Sequence, residues 1–153
     1  MKKILLLTIF TFMAISLNSQ NLKNININYP DNVYEVLTEK EKTMIEEVYH
    51  LKTNEIVYKD ASFLKDLKHL LRNRITIYKD DNPKTQKNGK TLSEVPLFDT
   101  YNKDLKRDTN FDINTFNPLK YKLDFFANGT YVYRIDNTNY FIQITSQYRN
   151  FKR

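Results

Sequence analysis

The stretch LDFFANGTYVYRIDNTNYFIQIT, residues 123–145, decides how the rest of the chain is read. Apolar and aromatic residues recur along it, and turn-forming residues interrupt it twice. Asn128-Gly129 is a strong hairpin signal, because a two-residue type I′ turn needs positive φ at both central positions. A turn centred there pairs Phe126 with Tyr131, Asp124 with Tyr133 and Lys122 with Ile135. A second turn at Asp136-Asn137-Thr138-Asn139 pairs Ile135 with Tyr140, Tyr133 with Ile142 and Tyr131 with Ile144. Opposed residues share a sheet face. Phe126, Tyr131, Tyr133, Ile135, Tyr140, Ile142 and Ile144 are therefore expected on one core face of a three-stranded meander.

Upstream, Thr38-Glu39-Lys40-Glu41 has capping-box spacing, in which the Thr hydroxyl and the Glu carboxylate each satisfy the other's free amide. A helix is expected from there to about Leu51, since Met44, Ile45, Val48, Tyr49 and Leu51 form one stripe at 3.6-residue periodicity. Asp60 or Ser62 caps a second helix over 62–72, with Phe63, Leu64, Leu67, Leu70 and Leu71 on its apolar side. Glu55–Tyr58 and Arg74–Tyr78 read as strands. The likeness of Val57-Tyr58-Lys59-Asp60 to Ile77-Tyr78-Lys79-Asp80 is too short to be a repeat. Asp80–Lys90 is a polar loop, Leu92–Tyr101 is extended with Pro96 suiting an edge, and 102–118 is irregular. The expected fold is α+β, with two amphipathic helices packed on an antiparallel sheet of about four to six strands and a C-terminal three-stranded meander.

The N-terminus reads differently. Met1-Lys2-Lys3 precedes an apolar run over 4–17, which at ~1.5 Å per residue spans about 21 Å, short of the ~30 Å hydrocarbon core of a membrane. Small residues and then Asn18-Ser19-Gln20-Asn21 follow. This is the layout of a secretory signal peptide over residues 1–19, with cleavage after Ser19 or Ser16. Residues 20–153 then form one domain, with 20–32 as an arm, and no membrane span remains after cleavage. The expected location is the periplasm or the exterior of a bacterial-type cell.

Composition narrows function mostly by exclusion. In 153 residues there are no Cys, no Trp, two Gly and two His. Disulfides, thiolate metal sites, Cys nucleophiles and glycine-rich phosphate loops are thereby excluded. The net charge of +6 falls to +4 without the two leader lysines. In an exported protein that basic excess suits anionic envelope material better than nucleic acid. The tail residues Arg149, Lys152 and Arg153 do not alter that reading.

His50 and His69 both fall opposite the apolar stripe of their helices and are expected at the surface. No serine sits in a Gly-x-Ser-x-Gly turn, and Glu46-Glu47 diverge on their helix. Asp108, Asn110 and Asp112 have the alternating oxygen spacing that opens a calcium loop, but Ile113 stands where such a loop needs Gly and Leu119 where it needs Glu. They are a calcium candidate with two departures, and no cofactor is expected. Asn128-Gly129-Thr130 fits the glycosylation acceptor pattern, although a turn accounts for it better.

The second face of the meander collects Tyr121, Leu123, Phe125, Val132 and Phe141 beside Arg134 and Gln143. A face open only to water would be more polar. Either the Leu92–Phe98 stretch or the N-terminal arm covers it, or it meets a partner. Tyr121, Leu123, Phe125, Arg134, Phe141 and Gln143 are thus the candidate partner-binding residues, and the partner is an envelope protein or a glycan. The functional expectation is an exported, non-catalytic binding module of the cell envelope. The alternatives are a hydrolytic enzyme whose carboxylate/His site is assembled in a cleft, and a periplasmic inhibitor or immunity-type protein.

Overall fold

The computed structural model describes residues 27–82 and 89–147. The leader over 1–19, its cleavage site, most of the arm, the centre of the polar loop and the basic tail lie outside them. The fold is α+β. Helix α1 (Glu39–Tyr49) starts at the expected capping box, with Glu41 N–H donating to Thr38 Oγ1 at 3.2 Å and Thr38 N–H to Glu41 Oε2 at 2.8 Å. Helix α2 (Ala61–His69) is capped by Asp60, whose carboxylate accepts from the amides of Ser62 and Phe63, both at 3.0 Å. Four strands, β1 (Ile75–Lys79), β2 (Lys90–Thr91), β3 (Tyr131–Arg134) and β4 (Tyr140–Ile144), form one sheet in the order β1-β4-β3-β2.

The second predicted turn forms in its predicted register. Tyr131 opposes Ile144 and Tyr133 opposes Ile142, and Ile135 N–H donates to Tyr140 O at 2.9 Å beside the turn. The first predicted hairpin does not form. The β3 edge that Lys122–Phe126 would occupy is taken by β2, which runs parallel with Lys90 opposite Tyr133 and Thr91 opposite Arg134. The sheet is therefore mixed, not antiparallel. Residues 121–125 instead fold through tight turns, with Leu123 N–H on Tyr121 O and Phe125 N–H on Leu123 O, each at 2.8 Å. Phe126, expected on the core face, is 52% exposed.

Glu55–Tyr58 is a wide π-helical turn (Asn54–Tyr58), not a strand. The connection from α1 to α2 offers it no partner strand, and the turn lets Val57 bury among the helices. β-propensity without a partner decides little. Leu51 leaves the α1 stripe because His50 adopts φ 48°, turning the chain outward so that Leu51 is 86% exposed. Of the expected extended stretch 92–101, residues Leu92–Glu94 form a 3₁₀ turn and Leu97 makes a single bridge to Tyr121.

The helices do not cover the sheet. Its inner face, Tyr133, Ile135, Ile142 and Ile144, packs against Leu92, Val95, Phe116, Tyr121 and Leu123 from the connecting chain. The helices bury their stripes around Ile45, Val48, Val57, Leu67 and Leu70, with Leu119 closing the cluster. Ile75 and Phe125 pack against both clusters. Buried Asn117 fastens the connecting chain to α1, donating to Met44 O and Glu47 Oε2, each at 2.9 Å. Among the described residues, no helix is long and apolar enough to cross a membrane.

Candidate functional site

The failed hairpin creates the most distinctive feature of the surface. Because residues 119–126 turn away from β3, they form the wall of an apolar pocket of about 270 Å³ against the helices. Leu119, Tyr121, Leu123, Phe125 and Phe126 face Tyr49 at the end of α1, Leu67 and Leu70 from α2 and the turn after it, and Phe98. Lys122 is the one charged residue of the lining.

Aromatic packing stiffens one side. Tyr49 stacks on Tyr101 with ring centroids 5.3 Å apart and meets Phe63 edge-on at 5.9 Å. Two polar anchors fix the other. Buried Arg74 donates from Nη2 to Phe125 O and from Nε to Thr145 O, the latter at 3.0 Å, tying the wall to the end of β4. Tyr133 Oη donates to the Asp124 carboxylate and accepts from Asp124 N–H at 3.1 Å. The wall is thereby held without being part of a strand. A concave, mostly apolar, largely pre-formed space is the general form of a ligand pocket, here at the small end of the range.

The six sequence-predicted residues divide into two groups. Tyr121, Leu123 and Phe125 line this pocket. Arg134, Phe141 and Gln143 share the outer sheet face with Thr76, Tyr78 and Val132, as their pairings require. They do not join the first three, because no strand carries residues 121–125 onto that face. Nor does that face expose its central ring. Phe141 is fully buried and stacks on Tyr78 at 5.7 Å. Tyr49, Leu67, Leu70, Phe98, Leu119 and Phe126 also line the pocket but escaped the sequence reading. Their spacing signals helix core or loop, and only the third dimension brings them together.

A second, more polar cleft of about 320 Å³ holds Ser93, Arg107, Asp108 and Asp136 over Tyr121, Phe111 and Ile135. Its charged groups already serve the fold. Arg107 donates to the carbonyls of Leu92 and Val95, Asp136 accepts from Ser93 N–H and Oγ at 2.7 and 2.6 Å, and Asp108 accepts from Lys120 Nζ at 2.7 Å and Tyr121 Oη at 3.0 Å. The calcium candidate is not assembled. Asp108 is spent on Lys120 and Tyr121, while Asp112 closes its own turn by accepting from Asn114 N–H at 2.9 Å. Among the described residues, no cluster of three or more His, Asp or Glu side chains could hold a metal ion.

The histidines are separated, as their helices imply, but only His50 is exposed. His69 is buried, against expectation, because the chain before α1 lies across α2. Tyr29 meets the imidazole edge-on at 5.3 Å and donates to Asp66, and Lys68 Nζ reaches Glu35 O at 2.6 Å. Burial, and secondarily Arg74, lowers the His69 pKa. The His69 Nδ1 lies 3.4 Å from the side-chain nitrogen of Asn73. Compared with known proteins, the chain matches no family, no curated sequence and no solved structure.

Proposed function

We propose that this is an exported, non-catalytic binding module of the cell envelope, and that it captures an apolar group of an envelope partner in the pocket walled by residues 119–126. The observation that carries the reading is the pocket itself, lined by nine apolar or aromatic residues and one lysine. Half-exposed Phe126 at its wall is the contact a partner meets first. Export rests on the basic, apolar and then polar order of residues 1–21. The non-catalytic part is supported by how the acid–base groups are used. His69 is packed under Tyr29, and Glu41, Asp108, Asp124 and Asp136 each bond a structural partner.

The occupant is small. About 270 Å³ lies just below the usual range for drug-sized ligands, which suits one aromatic or branched side chain, or a short acyl segment, inserted from a larger partner. The test is Phe126→Ser. Because Phe126 is half exposed, the variant is expected to keep its melting temperature within about 3 °C, as for a surface substitution worth roughly 0.5 kcal/mol. It is also expected to lose most retention on immobilised envelope extract. Undiminished retention with an intact fold refutes the pocket as the binding site.

A further inference from the structure

Asn128 and Gly129, left out of the hairpin their sequence suggests, lie at the tip of a loop with a firm base. Tyr133 bonds Asp124 and Arg74 bonds Phe125 O, so both stems of the loop are anchored. At the tip, Asn128, Gly129 and Thr130 are all exposed. Among the described residues, neither the Asn128 side chain nor the Gly129 N–H has a hydrogen-bond partner. Gly129 has φ 134°, and the place a Cβ would occupy there is 3.6 Å from the Tyr131 ring, with no main chain against it. The tip is neither paired nor packed.

Other asparagines lack this combination. The amide following Asn32, Asn114 or Asn137 is held, because Val33 N–H donates to Pro30 O, Thr115 N–H to Asp112 O and Thr138 N–H to Ile135 O, each at 3.2 Å. Asn117 is buried and precedes Pro118, whose nitrogen carries no hydrogen. Glycine also leaves the approach to its own nitrogen uncrowded by a side chain. The chain's other Asn-Gly pair is Asn88-Gly89, and its Asn lies outside the described residues.

Independently of the pocket proposed above, we infer that Asn128 is a site of spontaneous covalent modification, at which the side-chain amide is lost through internal cyclisation. The Gly129 nitrogen, its proton passed to solvent base, attacks Cγ of Asn128. The new N–Cγ bond closes a succinimide ring as the side-chain nitrogen takes up a proton and leaves as ammonia. Water then adds to either imide carbonyl and opens the ring, giving aspartate or isoaspartate at position 128. Nothing is oxidised or reduced, and water is the sole co-reactant. Either product places a negative charge just beyond Phe126 in the pocket wall, and isoaspartate also lengthens the main chain between that wall and β3. The anchored stems confine the change to the tip.

The test ages the full chain at neutral pH, folded and in urea, and then cuts it with trypsin. Protection of the β4 amides against exchange shows that the first sample is folded. The fragment 123–134 carries Asn128 as its sole amide side chain, so Asn88 does not interfere. Loop tips open at almost no cost in free energy, so the folded protein is expected to convert this fragment at a rate within about fivefold of the unfolded chain's. Isoaspartate is expected among the products. In Asn128→Ala the fragment is expected to keep its mass over the same period. A larger deficit in the folded rate overturns the inference, since it would mean that the fold locks the tip. An acid product without isoaspartate, which direct hydrolysis of the side chain would give, also overturns it, as does a mass change that persists in Asn128→Ala.

Discussion

Tyr133 and Asp124 are joined by side chain and not by ladder. The phenol donates to the Asp124 carboxylate and accepts from the Asp124 amide, and this bond pins the turning segment 121–126 against the sheet. The same pair would have been cross-strand neighbours had the Asn128-Gly129 hairpin formed, so one residue pair serves either fold of the segment.

Tyr133→Phe removes both bonds and leaves the exposed Asp124 carboxylate and its amide to water. A loss of about 1 kcal/mol is expected in urea unfolding, and Asp124→Asn is expected to cost less, since its amide still bonds the phenol. A double-mutant cycle should show a coupling of roughly 1 kcal/mol. Additive effects would mean that the contact does not hold the wall.

Asn128→Ala separates the two readings of the segment. In a type I′ hairpin it would cost about 1 kcal/mol or more, whereas in the observed loop it is expected to stay within roughly 0.5 kcal/mol. At the turn that does form, Asn137 has φ 55°. Asn137→Val there is expected to cost about 1–2 kcal/mol, because a β-branched residue resists that conformation. Thermal melts of the two variants make the comparison.

Burial, the first cause in each case, pushes the phenols of Tyr49, Tyr121 and Tyr133 up to about 12. Each folded pKa lies above the unfolded value of ~10, so the associated stability is complete below pH 10 and is lost between about 10 and 12. The slope is up to about 1.4 kcal/mol per pH unit for each phenol. Tyrosinate absorbance is expected to rise first for exposed rings, then for these three together with unfolding. A single transition near pH 10 in still-folded protein would contradict it.

Glu41 sits at the other end of the pH scale. Burial alone would raise its pKa, but the Arg72 guanidinium, together with Thr38, outweighs burial and holds it below the ordinary value. Arg72 Nε and Nη2 bond the two carboxylate oxygens at 2.6 and 2.7 Å, with both side chains about nine-tenths buried. The folded pKa is depressed, so this stability is present above about pH 4.5 and is lost as pH falls through the folded value. Glu41→Gln should flatten that acid limb and cost roughly 3 kcal/mol at neutral pH, because it leaves Arg72 partly buried without its counter-ion. Denaturant midpoints at pH 7 and pH 4 test both statements.

Local signals predicted what local physics controls. The capping box at Thr38, the cap at Asp60, the β3–β4 register and the strand after Arg74 all follow from short-range spacing and appear where expected. What sequence could not reveal was competition. Lys90-Thr91 outcompetes Lys122–Phe126 for the edge of β3 across some forty residues, and a β-prone run such as Glu55–Tyr58 turns helical when no partner strand is near. The site shares this history. Tyr121, Leu123 and Phe125 stood out as apolar residues beyond one core face, yet the pocket they line exists only because their strand does not form.

The binding reading is tested most directly by placing a photo-crosslinking amino acid at position 126, in the pocket wall, and at position 51, which is more exposed still but lies in the turn after α1 and outside the pocket lining. Irradiation of intact cells is predicted to give a discrete adduct in the envelope fraction from position 126 and none from position 51. Equal labelling from both positions, or an adduct found only with cytosolic components, would contradict the reading.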